Sequence, residues 1–295
     1  MKRVAGLALA AAGAGLFVHS QARRARVSYP PRGAFTGGLH YRETGFGTAV
    51  VMLHGLGAML EDFELSGLFG LAARDYRAVA FDRPGYGYSE RSPCNPFAQA
   101  KLLREAFEDL GIVRPVIVAH SLGTQVALAY ALEFPQHVRG LVLAAGYYYP
   151  SVRPDALMLV PPAIPLVGTL LRHTFSPLIG RVLWPSWLKV LFSPLPVPQY
   201  LPAWRALAPE QLRRAGEESA MLVPATIGMR KRYWRIKTPT IIIAGAKDRY
   251  VSPSHSRRLH EELRFSTYLE IPEAGHMVHH AAPDAVLRSI RALAG

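Results

Sequence analysis

The chain has 295 residues, half of them hydrophobic, a formal net charge of +13 and one cysteine. That length and apolar fraction allow a sizeable core and exclude a disordered chain, while the lone Cys94 excludes an intrachain disulfide and leaves the redox compartment open. The charge is unevenly placed: residues 1–32 carry six Lys or Arg and no Asp or Glu, 33–146 nine against eleven, 147–237 twelve against four, and 238–295 seven against six.

The first predicted element is an uncharged run, residues 4–18, between Lys2-Arg3 and the basic cluster Arg23, Arg24 and Arg26. As a helix of about 17 residues it reaches roughly 25 Å, short of the ~30 Å hydrocarbon core, so it is a marginal span. It is read as an uncleaved anchor, residues 1–26, that associates the protein with a membrane. Ser20 and Ala22 leave export after signal cleavage as the alternative. Positive charge flanks both ends, so the side of the membrane is open.

From residue 35 short apolar runs alternate with amphipathic ones, the pattern of a mostly parallel sheet flanked by helices. "GGLHYRETG" reads as an exposed, alternating opening strand, "AVVMLHG" as a buried strand ending at Gly55, and "YRAVAFD" as another ending at Asp82. Residues 96–111 have helical spacing with Gly111 as the stop. The strand "PVIVAH", the helix "LGTQVALAYALEF" and the strand "GLVLAAG" follow.

Regularity breaks at residues 147–237, which hold 13 of the 24 prolines and all four tryptophans. Proline at that density predicts short helices and loops. The stretch is too apolar for a linker and is expected to be a basic helical lid over the carboxyl edge of the sheet, where open α/β sheets bind their ligands. "TPTIIIAGAKD", "SPSHSRRLHEEL", "STYLEIPEAGH" and "PDAVLRSIRAL" then resume the alternation. The expected organisation is a core of 27–146 and 238–295 with the lid of 147–237 inserted. Nucleic acid is not an expected partner, because no zinc-finger spacing, RNA-recognition signature or basic heptad region accompanies the positive charge. An anionic membrane surface, met through the N-terminus and the lid, is.

Chemistry is expected at three strand ends. Ser121 follows "VIVAH" and opens a helix, Asp248 follows "TIIIAGAK", and His276 follows "YLEIPEAG". Acyl transfer by a serine needs a base in reach, an acid to orient that base and donors for the oxyanion, and the order Ser, Asp, His is one in which this set occurs. Gly123 supplies the small neighbour that a tight strand-to-helix turn requires, and Ala119 on the other side carries only a methyl group. Asp248 is read as the acid, with capping of the following turn as the alternative. His276, His279 and His280 have the spacing of a metal-binding helix face, but the glutamate of a zinc-protease motif is missing, and neither a metal nor a cofactor is expected. Asp82 is read as fixing a turn, and His120 as pointing away from the neighbouring nucleophile. Tyr147 to Tyr149 could line a pocket or simply pack.

"HGLG" at 54–57, "DRPGYGYS" at 82–89, "AHSLG" at 119–123, "GAKDRYV" at 245–251 and "GHMVHHAAPD" at 275–284 together resemble the α/β-hydrolase superfamily over about residues 35–146 and 238–295. The resemblance implies nucleophile Ser121, acid Asp248, base His276 and an oxyanion hole from the backbone N–H groups of Leu56 and Leu122. His54, Gly55 and Gly123 support it. A serine nucleophile disfavours the dehalogenase and epoxide hydrolase chemistry that aspartate performs on this fold. The expected substrate is a small lipophilic carboxylic ester. Carbon-carbon bond or thioester hydrolysis with the same triad, and a non-catalytic ligand-binding member of the fold, are the alternatives.

Overall fold

In the computed structural model the chain is described over residues 2–91, 93–151 and 154–295; Met1 of the expected anchor and Val152 and Arg153 of the expected lid fall outside, as does Ser92. Helix α1 (Lys2–Ser28) precedes the strands β1 (Ala34–Thr36), β2 (Leu39–Thr44) and β3 (Ala49–Leu53). Helices α2 (Glu61–Leu65) and α3 (Leu68–Ala72) lead to β4 (Arg77–Phe81), followed by α4 (Pro96–Asp109), β5 (Val116–His120), α5 (Gly123–Glu133) and β6 (Gly140–Ala144). Five helices are then inserted: α6 (Pro154–Leu159), α7 (Val167–His173), α8 (Phe175–Phe192), α9 (Ala203–Ala206) and α10 (Pro209–Arg230). The chain closes with β7 (Thr240–Gly245), α11 (Ser254–Glu262), β8 (Ser266–Ile271), α12 (Val278–Ala281) and α13 (Pro283–Ala294).

The eight strands form one sheet in the order β1-β2-β4-β3-β5-β6-β7-β8. β1 and β2 are antiparallel to their neighbours, and every pairing from β4 to β8 is parallel. The residues of β3, β5 and β6 are buried throughout, because helices cover both faces of a parallel sheet and no strand face is left for polar side chains. One core layer sets Phe107, Tyr130 and Leu128 against Val51 and Ile117; the other sets Phe63, Val286 and Ile290 against Val50 and Val118. The connection leaving β3 turns to β4 on one side and the next returns to β5 on the other, so the sheet has its switch point between β3 and β5, where a ligand crevice belongs.

Two expectations are corrected. The opening strand β2 is not exposed and alternating: Leu39, His40 and Tyr41 are all buried, because β1 and β4 flank it. The insertion is not confined to short helices, since α8 has 18 residues and α10 has 22. Pro177 and Pro209 occupy first turns, where the missing N–H costs no helical bond. Pro185 and Pro224 are interior, and packing of the apolar faces keeps both helices intact around them.

Helix α1 continues through the basic cluster to Ser28. Among the described residues no single helix is long and apolar enough to cross a membrane. The bent pair 154–163 and 167–173 passes the same test together across a 102° break.

Candidate active site

β5 delivers Ser121 into a left-handed backbone conformation, φ +50°, which a side-chain-bearing residue adopts only when its surroundings impose it. The surroundings are a turn pinned on both sides. Ser121 N–H donates to Ala144 O at 2.9 Å and Thr124 Oγ1 donates to Ser121 O at 2.6 Å. Gly123 passes so close to β3 that an added Cβ would lie 2.5 Å from Leu53 O and 2.6 Å from His54 O. The strain projects the hydroxyl outward at the carboxyl end of the sheet.

Ser121 Oγ is 3.0 Å from His276 Nε2, and His276 Nδ1 is 2.9 Å from Asp248 Oδ2. All three residues are buried. Asp248 is fixed by the turn after β7, where Oδ1 accepts from Tyr250 N–H at 2.8 Å and Val251 N–H at 2.9 Å. That leaves Oδ2 for the imidazole, which selects the tautomer with hydrogen on Nδ1 and a free lone pair on Nε2 facing the serine. The loop carrying His276 is tied down by its neighbour in sequence space of the elbow, His120, whose Nε2 lies 3.0 Å from His276 O. Burial, with the nearby His279 and His276 rings, holds His120 far below the usual imidazole range, so it is a neutral donor to that carbonyl. Its ring therefore points to the base rather than to the hydroxyl.

The loop after β3 forms the facing wall. His54 Nε2 accepts from Arg83 N–H at 2.9 Å, so its hydrogen is on Nδ1, 2.8 Å from Gly55 O. Burial and the Arg83 charge lower the His54 pKa to about 4, and the ring is neutral. The N–H groups of Leu56, in the loop after β3, and of Leu122, at the start of α5, donate to no backbone carbonyl among the described residues.

Sequence reasoning missed two buried networks. Arg83, inside "DRPGYGYS", donates to His54 O at 2.7 Å and Gly55 O at 3.1 Å, and grips both carboxylate oxygens of Glu218 on α10 at 2.7 and 3.0 Å. Tyr86 and Gln99 also donate to Glu218. Asp62 accepts from His279 at 3.1 Å, His280 at 2.8 Å and Tyr200 at 2.9 Å. Burial alone would raise Asp62; the His279 charge and the two imidazole hydrogen bonds outweigh it and hold the carboxyl well below its usual range. Asp62, His279 and His280 present ligand atoms within 4.8 Å of one another and so could hold a metal ion, although they already satisfy each other by hydrogen bonds. His276 stands apart from this set, in the triad. Neither network carries a local sequence signal, since Arg83, Asp62 and Glu218 each stand beside another charged residue, as solvated side chains commonly do.

Asp82 serves its turn: its carboxylate accepts from Leu60 N–H, Tyr88 N–H and His40. The three tyrosines 147–149 are buried in packing clusters and do not line the cavity.

That cavity, beside Ser121 and His276, is walled by Leu56 of the β3 loop and by Trp184, Trp187, Leu188 and Leu191 of α8. It holds about 30 Å³, space for one or two waters.

A family profile described as the alpha/beta hydrolase fold matches residues 48–283. Haloalkane dehalogenase 2 of Mycobacterium bovis is 28% identical over 272 residues, covering 86% of this chain and 90% of that protein. A 2-hydroxy-6-oxononadienedioate/2-hydroxy-6-oxononatrienedioate hydrolase of Paraburkholderia phymatum is 33% identical over 114 residues, 37% of this chain and 40% of that protein. Among solved structures, a thermophilic esterase from Thermogutta terrifontis superposes with a TM-score of 0.68 at 21% identity, over 86% of this chain and 92% of that one. With its mostly parallel eight-stranded sheet and a profile match over most of its length, the chain belongs to the α/β-hydrolase family.

Proposed function

We propose that this hydrolase cleaves a lipophilic carboxylic ester through an acyl-enzyme formed on Ser121. The observation that carries the reading is the continuous hydrogen-bonded line from the Ser121 hydroxyl through His276 to Asp248. As the hydroxyl oxygen attacks the ester carbon, its proton passes to His276 Nε2, and Asp248 stabilises the imidazolium. The oxyanion takes hydrogen bonds from the Leu56 and Leu122 N–H groups. Collapse expels the alcohol, which receives the proton from His276, and a water activated by the same nitrogen releases the acid.

The nucleophile separates this chemistry from that named for the dehalogenase relative. Displacing a halide with a serine oxygen would leave a stable ether, which water cannot readily cleave, whereas an acylated serine is an ester that water can cleave. Apolar walls of tryptophan and leucine favour a lipophilic acyl group. The small cavity requires α8 to shift outward as such a substrate enters, which gives the inserted helices the part of a lid.

A fluorophosphonate probe should label the wild type and not Ser121→Ala, and a chain-length series of esters should rise in kcat/KM with acyl length. Equal rates on short soluble and long acyl esters would remove the lipophilic assignment; absence of labelling would point to a non-catalytic binding protein. The 2-hydroxy-6-oxononadienedioate hydrolase relative from Paraburkholderia favours a second reading, carbon-carbon bond cleavage by Ser121, His276 and Asp248; thioester cleavage by these residues is a further alternative. Product analysis on a panel of esters, thioesters and vinylogous diketones separates these.

A further inference from the structure

Helix α8 is apolar on both of its sides. Trp184, Trp187, Leu188 and Leu191 recur at helical spacing and face the cavity, while Ile179, Val182, Leu183 and Val190 are exposed on the rest of the surface. Exposed apolar residues set among basic ones, here Arg181 and Lys189, give a helix an outer face suited to the lipid interface. The exposed apolar surface extends along the insertion: Leu166 is 87% exposed, Leu157 80% and Val182 77%, with Met158, Val167 and Leu170 beside them in sequence and also exposed. Scattered exposed leucines are ordinary; a run of them on consecutive helices marks an interaction surface.

Helix α1 packs against α7, α8 and α9. Phe17 meets Trp204 edge to face at 5.8 Å and Val18 is buried, yet Leu9 and Leu16 remain exposed. The two segments share a charge pattern as well. Residues 1–42 contain seven Lys or Arg and residues 156–209 contain four, and neither stretch has an Asp or Glu. Arg23 and Arg26 line a groove between α1 and the insertion, and Arg181 and Lys189 are exposed on α8.

We propose that the outer faces of α6, α7 and α8, together with α1, form one docking surface for an anionic phospholipid bilayer. The exposed leucines and valines enter the headgroup and acyl boundary, and the arginines and lysines meet the lipid phosphates. A second copy of this chain fits less well, because pairing this face with itself would oppose two surfaces in which Lys and Arg outnumber the few carboxylates, Asp155, Glu90 and Glu210. The docking rests on the surface and not on the reaction proposed above.

The test is flotation of the full-length chain with phosphatidylcholine vesicles, with and without phosphatidylglycerol. Wild type should float with the anionic vesicles, less with neutral ones, and be released by salt. The triple variant Leu157→Glu/Leu166→Glu/Val182→Glu should bind at least tenfold more weakly while keeping wild-type circular dichroism and hydrolysis of a short soluble ester. Should that variant misfold, Arg181→Glu/Lys189→Glu, two exposed substitutions, should lose the preference for anionic vesicles. Wild type that stays in solution with both vesicle types overturns the proposal. So does a triple variant that binds as well as wild type, or one that dissolves a wild-type dimer without changing flotation. Failure of Ser121 to react with the fluorophosphonate would sink the esterase reading and leave the flotation result standing.

Discussion

Arg83 and Glu218, 135 positions apart, form a fully buried two-pronged ion pair that joins the loop beside the nucleophile to an inserted helix. Arg83 spends its remaining donors on the carbonyls of His54 and Gly55 and on Gln99, so the pair fixes the loop that carries Leu56. Removing one member leaves the other charged and dry. Glu218→Ala should therefore cost about 3–5 kcal/mol of stability, read as a fall in the urea midpoint, and should lower kcat more than it raises KM. Unchanged kinetics at a lowered midpoint would reduce the pair to a structural tie.

Ser121→Ala and His276→Ala should each remove nearly all turnover, roughly a million-fold, with the thermal transition retained. Asp248→Asn keeps a side chain of the same shape but offers the imidazole the wrong hydrogen-bonding group. Its loss should approach ~10⁴-fold. Steady-state rates on one soluble ester check all three.

Gly123→Ala sets a methyl within 2.6 Å of the carbonyl oxygens of Leu53 and His54. The elbow must shift away from Leu53 and His54, which misplaces the hydroxyl. Expected outcomes are a lower melting temperature and a kcat loss larger than that of any substitution on the outer face of the insertion; the two measurements together separate distortion from unfolding.

Stability should fall with acid in two windows. His54 has its pKa lowered to about 4 in the fold, so the unfolded chain binds the proton first, near 6.5; this contribution is complete above that value and is lost as the pH drops toward 4. A span of that size corresponds to about 3 kcal/mol. Glu218 is also lowered: burial would raise it, and the Arg83 and Arg214 charges outweigh burial. Its contribution is present above the ordinary glutamate range and is lost as the pH falls through the depressed value. Urea unfolding from pH 8 to pH 4 should show a declining midpoint, with the first part of the decline shallower in His54→Asn but not abolished, because buried His120 and His279, also lowered, contribute over the same range. A midpoint flat between pH 7 and 5 would contradict the buried neutral imidazole.

Much of the fold could be read from the residues because its signals are local. Continuous apolar strands such as "VIVAH" and "TIIIAG" can be buried only in a parallel sheet, and each was followed by a polar residue that had to lie at a strand end. Gly111 stops its helix through a backbone constraint that needs no neighbour, and Pro135, two residues past the end of α5, does the same. β2 was misjudged because its burial depends on β1 and β4, and α8 because a proline's local cost was overridden by packing on a distant surface.

By itself the sequence determined the order of elements, the three residues at the strand ends, the acid-free N-terminal segment and the basic insertion, since these follow from side-chain chemistry and spacing along the chain. Only the tertiary structure decided that Ser121, His276 and Asp248 come within hydrogen-bond reach of one another, that Glu218 neutralises Arg83, and that Asp62 pairs with His279 and His280. Those relationships rest on convergence of residues far apart in the chain, and a hydrogen bond or ion pair depends on ångström distances that no spacing along the polypeptide encodes.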